Sequence, residues 1–330
     1  MLATPTPTPG VPPKGPEWVH EVKWDGVRAI AETRDGRLHL YNRNEGEVTA
    51  AYPELVEGAN GLPDGLLLDG EIIAIDPAAG VPTLQAIAPR IQVRDADRAA
   101  RLAVERPATF IAFDLLAVAG HSLIRSPLSE RRRLLEGLAL DRPGWQLSAT
   151  YDDPGIITEL TRGAGLEGVM SKLRASPYQP GTRSPHWRKT PHRSELVAVI
   201  GGWVPETGTT DRLGSVWVGH AHDEATFEAL PVLYPLGRVG SGLSGTEREL
   251  LLTVLRGIER PDPPFETLPS GPETRKTRWV DPMLCVQVRY LSMSNSGVLR
   301  QPVLRALRPD VRPVDAATAT LLTPGSSLSP

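Results

Sequence analysis

The segment from Lys23 to Arg28 contains the residue types that a nucleotidyl transfer reaction needs, in the order Lys-Trp-Asp-Gly-Val-Arg. A lysine amine attacks phosphorus only in its neutral form, so it must lie on a constrained turn among cations that favour that form and hold the phosphates. Asp25-Gly26 can supply the turn and Arg28 the cation. Taken alone, Lys-x-Asp-Gly favours a solvated hairpin turn, so other signals must support the prediction of a covalent enzyme.

Length and composition limit the architectures and classes of protein that are possible. At 330 residues the chain is long for one compact domain, and two domains of unequal size are expected. The net charge of −3 is close to neutral, so any affinity for a polyanion must come from local clusters of Lys and Arg. Cys285 is the only cysteine, which excludes an internal disulfide and fits a reducing cytoplasm. With no signal sequence and no apolar run of membrane-spanning length, we expect a soluble, unexported protein.

The elements around Lys23 are predicted from alternation and turn residues. Residues 18–41 should form two strands joined at Asp35-Gly36, because Asp-Gly favours a tight hairpin. Residues 66–75 and 110–118 are apolar runs of strand length, each interrupted by acids that need a partner when buried. Ser126-Pro127 before four periodic leucines predicts a helix that packs against the sheet.

Near residues 190–195 the sequence changes to short apolar runs of strand length, and we expect a domain boundary there. Short strands with one helix-like stretch at 246–258 then predict a small barrel. Residues 1–16 are rich in Pro, Thr and Gly and are expected to form a flexible lead-in, and residues 315–330 a disordered tail.

Five local signals occur in the order found in ATP-dependent DNA ligases of the covalent nucleotidyltransferase superfamily, which the chain resembles over residues 17–312. They are Lys23-Trp24-Asp25-Gly26-Val27-Arg28, Tyr41-Asn42-Arg43-Asn44-Glu45-Gly46, Asp69-Gly70-Glu71, Glu167-Gly168-Val169-Met170-Ser171-Lys172, and the passage from Ser176 to Lys189. The chain most resembles the ligases of bacterial end-joining systems, which act in the cytoplasm at the nucleoid.

The resemblance implies an α+β fold: a nucleotidyltransferase (adenylation) domain of antiparallel sheets with flanking helices over 17–192, followed by an OB-fold β-barrel over 193–314. Lys23 would be the catalytic nucleophile that becomes adenylylated. Phe113 would stack on adenine, and Mg²⁺, or Mn²⁺ in its place, would bind near Glu71 and Glu167, since magnesium prefers oxygen ligands and substrate phosphates. The implied ATP-binding residues are Glu21, Arg28, Arg43, Glu71, Phe113, Glu167, Arg183 and Lys189.

In this family the barrel tracks DNA phosphates and leaves the bases unread. The cations that could serve here are Arg238, Arg275, Lys276, Arg278, Arg289 and Arg308, although each alone is more simply read as part of a solvated face. The expected partners are nicked or broken double-stranded DNA, with an end-binding protein and a separate repair polymerase acting in trans on a monomeric enzyme.

Two departures keep alternatives open. The family's second lysine of the fifth motif is replaced by Pro191, and its closing lysine by Val311, so self-adenylylation from ATP is the step expected to be slow. The first alternative is an RNA ligase or a GTP-using capping enzyme, because these enzymes share the motif Lys-x-Asp-Gly-x-x-Arg. A nick-binding protein that keeps the fold but turns over poorly is the second alternative.

Overall fold

The computed structural model describes residues 1–318 except 222–224, 226, 228–229, 268–272 and 295. The chain divides into two compact units, Met1–His192 and Arg193–Pro330. Both combine β-sheets with few helices, so the α+β class is confirmed at that level. None of the helices in the described ranges is long and apolar enough to cross a membrane.

The first unit is built on two sheets, ordered β1-β11-β10-β2-β9 and β4-β3-β5-β6-β7, with β8 beside β6. Its strands are β1 (Leu2–Pro5), β2 (Trp18–Val22), β3 (Val27–Arg34), β4 (Arg37–Asn42), β5 (Leu67–Ile73), β6 (Thr109–Val118), β7 (His121–Ser122), β8 (Trp145–Leu147), β9 (Thr150–Tyr151), β10 (Gly168–Leu173) and β11 (Arg183–Pro191). Its helices are α1 (Pro53–Gly58), α2 (Leu84–Ile87), α3 (Ala96–Glu105), α4 (Leu128–Glu136) and α5 (Pro154–Gly163), with 3₁₀ turns at Thr49–Ala51 and Ala88–Arg90.

Side-chain alternation along β3 decides which residues face the site. Ala29 and Ala31 are buried in an apolar core that also holds Leu55 and Trp145. Successive residues of a strand point to opposite faces, so Arg28 lies on the other side of the sheet. That side packs against the first sheet, because Phe113 and Leu116 share an apolar cluster with Trp187 of β11. The site residues therefore lie in the gap between the two sheets.

The hairpin at Asp35-Gly36 forms as its residues predict. Both residues have positive φ, 53° and 68°, which is the conformation of a type I′ turn, and Arg34 pairs with Arg37 across it. The prediction of only two strands over 18–41 is wrong, because the chain leaves the first sheet after β2 and enters the second at β3. The intervening residues are the ones that carry Lys23.

The flexible lead-in is also corrected for residues 2–5, which form strand β1 parallel to β11. The Leu2 N–H donates to the Thr182 carbonyl at 2.7 Å, and the Met1 side chain is buried. An edge strand tolerates proline, so Pro5 does not prevent the pairing. Two apolar side chains at the start of the segment outweighed its overall composition.

The second unit has a seven-stranded sheet among its described residues, ordered β14-β13-β12-β16-β15, with β17 pairing with both β12 and β20. Its strands are β12 (Ser194–Pro205), β13 (Leu213–His220), β14 (Tyr234–Val239), β15 (Glu259–Arg260), β16 (Arg278–Val280), β17 (Cys285–Tyr290), β18 (Ser292–Met293), β19 (Leu299–Arg300) and β20 (Val303–Leu307). Its helices are α6 (Gly245–Arg256) and α7 (Asp315–Thr318), with a 3₁₀ turn at Thr274–Lys276. Most of the expected tail, from 319 onward, lies outside the described residues.

Candidate active site and nucleic-acid interface

Lys23 lies where the chain crosses from β2 to β3. Its backbone N–H donates to the Gly168 carbonyl at 2.9 Å, which ties it to the start of β10. Its ammonium group contacts the Glu167 carboxylate, and the two side chains are only 20% and 12% exposed. The candidate nucleophile therefore points into the gap beside an acid, rather than into bulk solvent.

Asp25 and Gly26 fix the turn that carries this lysine. A carboxylate oxygen of Asp25 accepts the Leu84 N–H at 3.0 Å. A Cβ added at Gly26 would lie 2.4 Å from the Ile72 carbonyl oxygen of β5, closer than real Cβ contacts come. Glycine is required here because the backbone of the turn is pressed against the neighbouring strand.

Glu71 faces the same space from β5. Desolvation raises the pKa of its carboxyl from 4.5 to about 8, and the charges of Lys23 and Arg28 only partly oppose this. The nearby charges of Asp69 and Glu167 raise the pKa further. A carboxyl with a strongly raised pKa, near an amine and a second acid, is a candidate functional group.

A buried group of two rings and a lysine forms one end of the gap. The rings of Phe113 and Trp187 meet edge to face, with centroids 5.9 Å apart. The Lys172 ammonium lies 4.4 Å and 4.6 Å from those two ring centroids and donates to Glu21 Oε1 at 2.8 Å. Sequence reasoning proposed Glu21 and Phe113 but gave Lys172 and Trp187 no role. The signal for Lys172 was a cation in an otherwise apolar strand.

The Arg28 side chain is paired with an acidic residue of the same chain. Its guanidinium donates to both oxygens of Asp69, with Nε 2.9 Å from Oδ1, and to the Tyr178 hydroxyl at 3.1 Å. Although desolvation opposes it, the charge of Asp69 and its hydrogen bonds raise the pKa of Arg28 above its ordinary value. Arg28 thus neutralises Asp69, which is fully buried, and its contact with ATP stays a prediction.

The remaining predicted ATP-binding cations lie at different positions. Arg43 is exposed after β4, on the rim of a cavity of about 540 Å³ that Arg28 also lines. Arg183 is exposed and donates to the Ala3 carbonyl of β1 at 2.7 Å. Lys189 of β11 pairs in register with Met170, which pairs with Glu21 on its other side. Lys189 thus belongs to the row that includes Glu21, whereas Arg183 lies at the far end of the strand.

In the second unit, a cleft of about 760 Å³ brings three of the predicted DNA-binding cations together. Arg238, Lys276 and Arg278 line it, together with Glu273 and the loop of residues 204–210. Sequence reasoning missed a fourth lining cation, Arg248, whose guanidinium donates to the carbonyls of Leu213, Gly240 and Leu243.

The other cations proposed for DNA do not line this cleft. Arg275 is exposed in the adjacent 3₁₀ turn. Arg308 donates to Asp310 at 2.7 Å, and Arg289 donates to Glu195 at 2.6 Å. Both of these arginines therefore have acidic partners within the chain.

Comparison with known proteins places the chain in a family. Residues 1–190 match the family model described as the ATP dependent DNA ligase domain, and residues 209–311 match the ATP dependent DNA ligase C terminal region. The chain belongs to the ATP-dependent DNA ligases.

Two curated relatives extend the ligase match over most of the chain. The multifunctional non-homologous end joining DNA repair protein LigD of Mycobacterium tuberculosis is 34% identical over 315 residues, covering 95% of this chain and 39% of that protein. This chain thus spans about two fifths of the length of that relative. DNA ligase C1 of Mycolicibacterium smegmatis is 30% identical over 332 residues, covering 95% of this chain and 91% of that protein.

A solved ligase structure agrees with the fold over both units. The structure of mycobacterial DNA ligase D complexed with ATP and MES is 32% identical, with a TM-score of 0.53, and covers 96% of this chain and 97% of that chain.

The acids of the ligase site fit a magnesium ion that is shared with nucleotide phosphates. Glu71 and Glu167 offer carboxylate oxygens, which suit Mg²⁺, and the charge of Glu167 is one of the causes that raise the pKa of Glu71. Within the described ranges, no cluster of three or more His, Cys, Asp or Glu side chains could cage a metal by itself. Magnesium commonly binds to one or two carboxylates plus substrate phosphates, and the carboxylates of Glu71 and Glu167 fit this mode of coordination.

Proposed function

We propose that this chain is an ATP-dependent DNA ligase that works through a lysyl-adenylate on Lys23. The observation that carries the proposal is the contact between the Lys23 ammonium and Glu167, with Glu71 facing both from the other sheet. An amine that must lose a proton before it attacks is thereby held against a proton acceptor. Family membership supplies the nucleotide, ATP.

Three in-line displacements would complete the reaction. Lys23 Nζ attacks the α-phosphorus of ATP, the N–P bond forms, the bond to the bridging oxygen breaks, pyrophosphate leaves, and Glu167 takes the proton. An oxygen of the DNA 5′-phosphate then attacks the same phosphorus and releases the lysine. Finally, the 3′-hydroxyl attacks the 5′-phosphate, and AMP leaves as the strand is sealed.

Positioned cations and acids would supply most of the rate. Lys189 lies on the sheet that holds Glu21 and would bind a phosphate as charge builds on it. Glu71 and Glu167 would hold Mg²⁺, which stabilises negative charge on the phosphates when it is bound. Arg43 lies on the rim of its cavity and would contact the DNA end, while Arg183 would have to leave the Ala3 carbonyl to reach a phosphate.

For the second unit we propose an OB-type barrel that tracks the DNA backbone. Its strand path β14-β13-β12-β17-β20 is extended by the Leu304 N–H, which donates to the Ser241 carbonyl at 2.9 Å just beyond β14. Strands that return to their starting edge in this way favour a closed barrel. The cations of the cleft would neutralise phosphates without reading bases.

For the biological setting we propose the repair of broken DNA by end joining in the bacterial cytoplasm, at the nucleoid. The name of the LigD relative supports this setting. An end-binding protein and a separate repair polymerase would act in trans, and the ligase would work as a monomer.

The decisive experiment is mass spectrometry of the purified protein after incubation with ATP and Mg²⁺. We expect one AMP adduct mapped to Lys23, its absence in Lys23→Ala, and sealing of nicked duplex DNA by the same sample. Parallel incubation with GTP, and with nicked RNA, tests the capping-enzyme and RNA-ligase alternatives. An adduct on any other residue, or a GMP adduct in preference to AMP, would overturn the proposal.

One observation favours slow self-adenylylation as a property of this ligase. Val311 packs against the apolar cluster that contains Phe265 and Cys285, where the family has a lysine, and Pro191 lies within β11 with no N–H to donate. Single-turnover rates measured from ATP, and from protein that is already adenylylated, would separate a slow first step from a nick-binding protein that never seals.

A further inference from the structure

The proposed proton acceptor, Glu167, lies in the short connection between α5 and β10 rather than within either element. The chain leaves α5 through two backbone hydrogen bonds: the Leu166 N–H donates to the Thr161 carbonyl at 2.8 Å, and the Gly165 N–H donates to the Arg162 carbonyl at 3.1 Å. Gly165 has a φ of 69°, and together these features make a Schellman motif. Thr161 therefore holds the residue that directly precedes Glu167.

His192 holds Glu167 from the other side. Its backbone N–H donates to the Glu167 carbonyl at 2.8 Å. His192 follows the last residue of β11 and is also the last residue of the first compact unit. The residue before it, Pro191, has no N–H with which to hold this part of the chain. The position of the Glu167 backbone therefore depends on where His192 is fixed.

The His192 ring is fixed by the same threonine. Its Nε2 lies 2.8 Å from Oγ1 of Thr161, which is fully buried. The one hydroxyl hydrogen of Thr161 is donated to the Ile157 carbonyl at 2.6 Å, so the hydroxyl oxygen is the acceptor and His192 Nε2 carries the hydrogen. Thr161 thus contacts the chain on both sides of Glu167, through its carbonyl to Leu166 and through its hydroxyl to His192.

We propose that His192 is a positioning residue that holds the Glu167 carboxylate in contact with the Lys23 ammonium, through the bond of its ring to Thr161. The inference rests on the proposed function and deepens it. Without the ring, the residue after Pro191 keeps only its backbone bond, and the Glu167 carboxylate samples a wider range of positions. Proton transfer needs hydrogen-bond distance, and a misplacement of about 1 Å can cost about 100-fold in rate.

The test is the rate of AMP transfer to Lys23, measured by rapid quench at saturating ATP and Mg²⁺. His192→Ala removes the ring and should lower this rate about tenfold or more. His192→Gln keeps an N–H donor at a similar distance from the backbone and should restore the rate to within about threefold of the native value. A role in packing alone would predict no such rescue, because glutamine does not reproduce the ring.

Two threonines of α5 provide a matched pair of variants. Thr161→Val removes the hydroxyl, keeps the size of the side chain and should slow AMP transfer as much as His192→Ala. Thr158→Val is the control, because the Thr158 hydroxyl donates to the Pro154 carbonyl at 2.6 Å, the same type of bond within the helix that Thr161 makes to Ile157. It should lower the melting temperature while leaving the rate at the native value.

A double-mutant cycle separates positioning from general damage. If His192 acts through Glu167, His192→Ala combined with Glu167→Gln should be no slower than Glu167→Gln alone. Thr161→Val in place of His192→Ala completes the same cycle if the alanine variant does not fold.

A native rate in both His192→Ala and Thr161→Val, an equal loss in Thr158→Val, or independent effects in the cycle would overturn the inference. A native protein that forms no adduct with ATP would instead overturn the proposed function.

Discussion

Lys23 and Glu167 form an ion pair across neighbouring strands of one sheet, the lysine just after β2 and the glutamate just before β10. The pair is backed by the hydrogen bond from the Lys23 N–H to the Gly168 carbonyl. The proposed acceptor for the lysine proton therefore lies in direct contact with the amine.

Glu167→Gln should slow the formation of the lysyl-adenylate by about 100-fold or more, because proton transfer to a positioned acid contributes at least that much. The amide keeps the size of the side chain but cannot take the proton. Glu159→Gln, at an exposed position of α5, is the control and should be neutral. Rapid-quench measurement of AMP transfer would decide, and a Glu167→Gln rate within threefold of the native rate would contradict the proton-acceptor role.

Glu71 should make the ligase less stable as the pH rises. Between its ordinary pKa of 4.5 and its folded pKa of about 8, the folded state holds a proton that the unfolded state has lost. The free energy of unfolding therefore falls across this window and stays low above pH 8. Glu71→Gln removes the effect, so its melting temperature should exceed the native value by a few degrees at pH 9 and match it at pH 4.

Thermal unfolding in the absence of nucleotide, at intervals from pH 4 to pH 9, would measure this difference. Glu57→Gln, on the exposed side of α1, provides the comparison and should show no such dependence on pH. A Glu71→Gln curve parallel to the native one would mean that Glu71 is ionised in the folded protein at neutral pH. The same variant should lose activity, as expected where a site is built at the expense of stability.

Gly26→Ala should lower the free energy of unfolding by about 1–3 kcal/mol, the usual cost of forcing an extra methyl group into a filled space. The added Cβ meets backbone, the Ile72 carbonyl, which cannot rotate away. At Gly163 in α5 an added Cβ meets nothing within 4 Å, and alanine should be neutral or stabilise by up to about 1 kcal/mol. Urea unfolding of both variants checks this, and equal midpoints would show that the turn can move.

Arg278→Ala should weaken the binding of nicked DNA and reduce the slope of log K against log salt by about one unit, as expected for one lost phosphate contact. Arg101→Ala removes an exposed cation from α3 in the first unit and should leave the slope unchanged. Fluorescence anisotropy over a range of salt concentrations measures both. Identical slopes for the two variants would remove the cleft from the DNA interface.

Local chemistry made part of the fold predictable. The Asp35-Gly36 turn, the helix α4 after Pro127 and the acid within β5 all follow from rules that act over a few residues. Predictions that depend on pairing across long separations did less well. Nothing near Leu2 indicates that β1 would find β11 about 180 residues away, and composition alone favoured a free segment.

In the candidate site too, local features were predictable from the sequence and long-range contacts were not. Lys23, Glu71 and Glu167 were predictable in type, and the structure brings them together. The buried pairing of Lys172 with Glu21 was not predicted, because it joins strands separated by about 150 residues. Likewise, the commitment of Arg28 to Asp69 depends on the register of β3 against β5, which sequence alone does not specify.

The four residues from Lys23 to Gly26 are the only covalent link through which β2 continues into β3, and they are fastened at both ends, to Gly168 in one sheet and against Ile72 in the other. The backbone that carries the candidate nucleophile is therefore attached to both sheets. We expect the separation of the two sheets at Lys23 to be the same with and without bound nucleotide.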